Sequence, residues 1–381
     1  MSRSLELAEE AFSEAALLAL VAWREKVPAN PGAWLMTTAK RCLNDLRKRQ
    51  AVAAAKAPLL AVEAEMEAPV NIDTVSDDHL RLIFTCCHPA LSTDNQIALT
   101  LKTVSGFGTP EIARAFMTTE PTISQRIRRA KQTLEETHVK YEIPERGELA
   151  ARVSAVLGVA YAIFNEGHTA QSGALMRLDL QAEALRLTRM LCDLVPREPE
   201  AFGALAIMAF GAARAHTRVD DEGLPILLDA QDRSRWNREL LREGLMALRR
   251  AHSLGGRGPY VLQAEIAAAH VTAPTWASTD WAAILAAYDA LAEVSPSPIV
   301  SMNRAIAVSM LDGPSAGLEA LRSLERPLAD YHLFYSTRAN LLERAGLDSR
   351  ADLEKAISLA TNDAERRLLE RRLRELALKR P

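Results

Sequence analysis

Short turn-forming strings punctuate the second half of this chain: VPREPE, VDDEGLP, GGRGP, VSPSP, LDGP and RAGLDS. Proline fixes φ and removes a backbone donor, and glycine loosens the helix, so each string ends one helix and opens the next. The stretches between them have helical length. No alternating run of β-branched and aromatic residues bounded by tight-turn pairs occurs in the 381 residues. The expected fold class is therefore all-α. Abundant Ala, Leu, Glu and Arg with 5 % aromatics agrees with helices packed on helices. The length suits roughly two to three domains and a sizeable core.

Several classes fall away. No stretch approaches the roughly 20 uncharged apolar residues of a membrane span. The opening MSRSLELAEEAFSEAALLAL has one early Arg followed by glutamates, so no secretory leader is expected. Four Cys in a chain this long make no disulfide framework and fit a reducing cytoplasm. The net charge of −3 means that any nucleic-acid-binding surface must be local.

Along the chain, Leu5, Ala8, Phe12, Ala15, Ala16 and Ala19 recur at helical steps, as do Leu35, Ala39, Cys42, Leu43 and Leu46. KVPANPG separates the two runs. The first unit, 1–50, thus reads as helix, turn, helix, ending in Arg47, Lys48 and Arg49. Residues 51–76, rich in Ala, Glu and Pro, read as a solvated linker. A second unit spans 77–140 and closes at YEIPERGE. Residues 149–381 form a series of helices whose pairing suggests a stacked array. Ser301–Leu324 and Tyr335–Leu359 each read as helix, Gly turn, helix, near the roughly 34-residue length of a tetratricopeptide repeat.

Residues 109–134, TPEIARAFMTTEPTISQRIRRAKQTL, carry the most chemistry. Thr109 is the expected cap of a first helix, with Pro110 behind it and Glu111 near the positive end of the dipole. Ile112, Ala113 and Phe116 would face inward. After the MTTE turn, Pro121 restarts a helix with Ile123, Ile127 and Ala130 inside. Thr122, Ser124, Gln125, Arg126, Arg128, Arg129 and Lys131 would face out, with four cations and no carboxylate between Ser124 and Lys131. An ordinary solvated hairpin would show similar spacing. The cap, the proline restart and the one-signed charge favour a DNA-binding helix-turn-helix, with Thr122, Ser124 and Gln125 toward bases and the cations toward phosphates.

Other residues invite chemistry. In Thr85-Cys86-Cys87-His88 the adjacent cysteines point to different faces of a helix, and no CxxC partner exists, so buried cysteines rather than a metal site are expected. In the C-terminal array, Glu166, His168, Asp232, Arg233, Trp236, His270, Asp280, Trp281 and Arg304 could line a groove for a small ligand or protein partner. The same groups could instead satisfy helix ends and turns. No GxSxG, HExxH or phosphate-cradling glycine loop is present, so no enzyme and no cofactor are expected.

EIARAFMTTEPTISQRIRRAKQTL resembles the promoter-reading helix-turn-helix of an extracytoplasmic-function sigma factor. LELAEEAFSEAALLAL resembles the helix with which such factors grip the polymerase clamp, and NPGAWLMTTAKRCLNDLRKR the helix that opens and reads the upstream melted element. LRLIFTCCHPAL, IFNEGHTA, QDRSRWN, GPYVLQAEIAAAH, TDW and PSPIVSMNRAIAV resemble one subgroup with a long C-terminal tetratricopeptide-like extension. The resemblance covers nearly the whole chain. It implies a non-enzymatic specificity subunit of bacterial RNA polymerase, with sigma domain two at 1–50, sigma domain four at 77–140 and a regulatory extension at 149–381.

Carried over by position, Glu9, Glu10 and Glu14 would meet core polymerase. Trp34, Lys40, Arg41, Arg47 and Lys48 would lie at the melted strand, where stacking and phosphate neutralisation hold unpaired bases. Trp34 reads equally as a core aromatic. The helix-turn-helix would meet the distal promoter element. Departures from the family pattern (Ser4 for Asp, Ser13 for Gln, Arg41 for Asn, an early Leu46) and a start close to the clamp helix predict a shortened domain two. The alternative from another class is a polymerase-independent helix-turn-helix regulator with the repeats as effector or interaction domain.

Overall fold

The computed structural model of the protein describes residues 5–23, 27–28, 30–54, 80–116, 118–168 and 177–378. Among these the architecture is all-α, as the punctuation predicts, with one isolated antiparallel bridge between Val219 and Pro225.

Helices α1 (Leu5–Ala22) and α2 (Pro31–Ala54) pack on each other. The inner face of α1 keeps Ala15 and Ala19 of the expected run and takes Ala11 in place of Phe12. It buries Ala11, Ala15 and Ala19 against Cys42 and Leu46, and leaves Phe12 55 % exposed. Small residues let two helices approach closely, which the bulky Phe12 would prevent. Helix α2 continues through Ala54, into the stretch read as a linker; the remainder of that stretch, 55–76, lies outside the described residues.

A helical segment at 80–86 (α3), α4 (Thr93–Thr103), α5 (Thr109–Ala115) and α6 (Glu120–Glu136) form the next group. Its core holds Ile83, Phe84, Leu99, Leu101, Ile112 and Ile123. Cys86 and Cys87 are buried there, as expected, and burial pushes the Cys87 thiol up to about 11.

The core does not stop at the YEIPERGE joint. It runs on through α7 (Arg146–His168), α8 (Leu178–Leu194), α9 (Pro199–Ala213), α10 (Arg238–Ser253) and α11 (Pro259–Thr272) as one apolar body. Arg152 of α7 reinforces the seam, its Nη2 donating to the Phe84 carbonyl at 2.6 Å. Helix α9 lies at the centre, packed by α7, α8, α10 and α11. It is apolar on all sides, as a fully enclosed helix must be. Close approach of α11 requires Gly203: a Cβ there would sit 2.6 Å from the Val261 backbone nitrogen.

Helices α12 (Trp281–Val294), α13 (Pro298–Leu311), α14 (Pro314–Leu321), α15 (His332–Arg344), α16 (Arg350–Leu359) and α17 (Asp363–Leu378) follow, each packed on its chain neighbour. Proline opens α9, α11, α13 and α14 at the positions the turn strings predict. The two stretches read as repeats are the helix pairs α13–α14 and α15–α16. VDDEGLP departs from the pattern. It belongs to an irregular segment, 214–237, containing three short 3-10 turns rather than a tight helix connection. QDRSRWN lacks apolar residues at helical spacing, so no amphipathic helix can form there.

Candidate nucleic-acid interface

Helices α5 and α6 build the basic face. The cap of α5 is Gly108, one residue before the expected Thr109; the Gly108 N–H donates to the Glu111 carboxylate at 2.5 Å. Thr119 caps α6, its Oγ1 accepting from the Thr122 N–H at 3.3 Å, and Pro121 occupies the first turn. Ile123, Ile127, Ala130 and Leu134 anchor one face of α6. The opposite face therefore turns outward. Ser124, Gln125, Arg128 and Arg129 are exposed, and Thr122 is half-buried, its hydroxyl 2.8 Å from that of Thr119.

The four cations of α6 are not equivalent. Arg128 and Arg129 have no carboxylate partner among the described residues. Arg126 Nη2 lies 3.0 Å from Asp94 Oδ2. Lys131 Nζ donates to Glu9 Oε2 at 2.5 Å, and the other Glu9 oxygen accepts from the Thr103 hydroxyl at 3.1 Å. One residue assigned to polymerase and one assigned to DNA are thus bonded to each other. Glu10 is exposed and Glu14 half-buried.

On α2, Lys40, Arg41, Arg47 and Lys48 are all exposed. Spacings of seven put Trp34, Arg41 and Lys48 in one row and Lys40 with Arg47 in the next. Trp34 is half-buried, packed edge-on against Trp23 at 5.4 Å.

Of the nine C-terminal residues, three have local polar partners. Asp232 caps a 3-10 turn through the Ser234 N–H, and Asp280 caps α12 through the Ala283 N–H. Arg304 is tied to Asp289, two turns along α12. Glu166 and His168 lie on α7. The His168 ring stacks on Phe164, and its carbonyl accepts from Arg218 at 2.6 Å. Arg233, Trp236, His270 and Trp281 do converge. Arg233 lies 4.8 Å over the Trp236 ring and donates to the carbonyls of His270 and Ala273. Trp236 is buried, and its indole N–H donates to Thr217 at 3.0 Å. His270 stacks parallel on Trp276 at 5.9 Å and meets Trp281 edge-on at 5.2 Å.

Sequence reasoning missed Trp276 and Arg214, which complete this cluster. Burial, helped by Arg214 and Arg233, pushes the His270 imidazole down to about 4. Burial and the Arg233 charge push Arg214 down to about 10. The only signal available beforehand was the density of Trp, His and Arg between 214 and 281.

Residues 81–134, which hold this basic face, match sigma-70, region 4. Residues 152–252 match a family of unknown function (DUF6596). An uncharacterized protein of Rhizobium meliloti (strain 1021) is 39 % identical over 385 aligned positions, covering 98 % of this chain and 91 % of that protein. The chain belongs to that protein's family. Its region 4 supports a sigma-70 family factor with a sigma factor-like DNA-binding role, in a class that regulates rather than catalyses. No helix among the described residues is long and apolar enough to cross a membrane.

Proposed function

We propose that the protein is an extracytoplasmic-function sigma factor, which binds core RNA polymerase and directs initiation at specific promoters. The observation that carries this reading is the match of 81–134 to sigma-70, region 4, in which α6 presents Ser124, Gln125, Arg128 and Arg129 to solvent. Backbone-directed cations position a duplex, and the short polar side chains at the start of the helix reach base edges. The row of Trp34, Arg41 and Lys48 on α2, with Lys40 and Arg47 beside it, supports a second contact with unpaired bases, where ring stacking and phosphate neutralisation act together.

Glu9, Glu10 and Glu14 are assigned to the polymerase. Glu9 can take that role only by releasing Lys131, so polymerase binding would free a cation for promoter DNA. The helices from 149 onward, a tetratricopeptide-like extension in this reading, modulate that activity. The core they share with region 4, and the bond from Arg152 of α7 to the Phe84 carbonyl, support a physical route by which a shift in α7 would reach region 4.

Run-off transcription with purified core polymerase and genomic fragments tests the reading. New, protein-dependent start sites are expected. Tight duplex binding with no stimulation of core polymerase would overturn it in favour of a polymerase-independent regulator.

A further inference from the structure

A guanidinium taken out of water is costly unless carboxylates or carbonyls replace its hydration. The partly buried Arg338 obeys this rule, holding Asp352 at 2.6 Å and Glu325 at 3.1 Å. Arg214 does not. It sits at the C-cap of α9 with its Nε shut off from solvent, and its side chain makes no hydrogen bond or ion pair with any described residue.

Its neighbours share the deficit. Arg233 spends Nη1 on two carbonyls, while its Nη2 is enclosed without a partner. His270 Nδ1 is likewise enclosed and unpartnered. Arg214 is tied to the cluster through Thr217, whose N–H and hydroxyl donate to the Arg214 carbonyl while its hydroxyl accepts from Trp236, the ring under Arg233; the charges acting on Arg214 and His270 are arginines, with no carboxylate among them. Toward α7, Arg214 and Arg218 both act on His168, and Glu365 acts on Arg218 but is not among the charges acting on Arg214. Asp232 and Asp280, the acidic residues adjacent in sequence, are exposed and used as helix caps. Trp236, Trp276 and Trp281 wall the cluster and lower its dielectric, which raises both the cost of the bare charges and the attraction for an anion.

We propose that Arg214, Arg233 and His270 form a binding site for a small oxyanion, a carboxylate or phosphate group, which supplies the acceptors these atoms lack. Guanidinium groups suit both groups through paired N–H donors. The site joins the irregular 214–237 segment to α11 and the start of α12, so occupancy would fasten that segment to those helices. This extends the regulatory role proposed for the C-terminal helices and rests on that role only for its consequence. Binding is measured without polymerase, so its failure and that of the sigma-factor reading are separable.

The test uses the full chain in chloride buffer, titrated at constant ionic strength with inorganic phosphate in one arm and acetate in the other. Thermal unfolding and tryptophan fluorescence report binding. A saturable rise in Tm with a fluorescence change is expected in at least one arm, and the arm that responds assigns phosphate or carboxylate. Arg214→Met removes the charge at similar volume. It should melt no lower than the parent without added anion, and should bind the probe at least about tenfold more weakly. His270→Phe keeps the stacking, removes Nδ1 and should also weaken binding. No saturable response in either arm would overturn the proposal. So would an unchanged response in both variants, or a marked loss of stability in Arg214→Met without anion, which would make Arg214 a structural group.

Discussion

Of the four cations on α6, Arg128 and Arg129 are the two that duplex DNA can claim without competition. They are exposed and have no carboxylate partner among the described residues, whereas Lys131 is largely buried against Glu9. Replacing both arginines by alanine removes two phosphate contacts. The slope of log K against log salt should then become shallower by about 1.8, at about 0.9 per contact. A charge-assisted hydrogen bond contributes about 1.5 kcal/mol at the low end, so the affinity should fall on the order of a hundredfold. Lys131→Ala, by contrast, removes a group already neutralised within the protein and should leave the slope unchanged. Fluorescence anisotropy with a labelled random-sequence duplex over a salt series measures both quantities, because the phosphate term does not depend on sequence. Equal losses in Lys131→Ala and the double variant would refute the reasoning, since they would show that the Glu9 contact does not hold the lysine away from DNA.

Three further outcomes are expected. Glu9→Ala should release Lys131 and steepen the same salt slope by about 0.9; an unchanged slope would mean that the freed lysine does not reach a phosphate. Gly203→Ala in α9 should destabilise the protein, because its Cβ would meet backbone of α11 at 2.6 Å. An overpacking cost of about 1–3 kcal/mol outweighs the gain of at most about 1 kcal/mol in helix propensity. Gly158→Ala in α7, with nothing within 4 Å, should stabilise by about 0.5–1 kcal/mol, and chemical denaturation separates the signs. Acidification should weaken the fold through His270. Its folded pKa lies near 4 and its ordinary value near 6.5, so the unfolded chain binds the extra proton between them. Stability is full above about 6.5 and declines by up to about 3 kcal/mol as pH falls toward about 4. His168 shifts in the same direction, so His270→Phe should flatten that decline in part, and an unaltered pH profile would contradict burial of the neutral ring.

The helical class, the proline-opened helices and the inner face of α6 were all legible in the sequence. Each depends on local rules: proline geometry at Pro199, Pro259, Pro298 and Pro314, and the recurrence that buries Ile123, Ile127 and Ala130. Legibility failed where the outcome depended on what lay opposite. Periodicity put Phe12 inside, but the approach of α2 favoured the alanine row and left the ring in solvent. One-signed charge marked Lys131 for DNA, but Glu9, 122 residues away in sequence, holds it.

The C-terminal polar residues divide along the same line. Asp232 and Asp280 became caps through bonds to residues two or three positions on, a local matter. Arg214 and Arg233 lie at the two ends of the irregular segment and His270 on α11, and only the packing of the chain there brings them together. Local rules were enough for the helical class, for the proline-opened helices and for the inner face of α6, because backbone geometry and side-chain recurrence act within a few residues. The tertiary structure alone decided which charges are neutralised and which are buried without a counter-ion, because electrostatic partners are set by proximity in space and not by position along the chain.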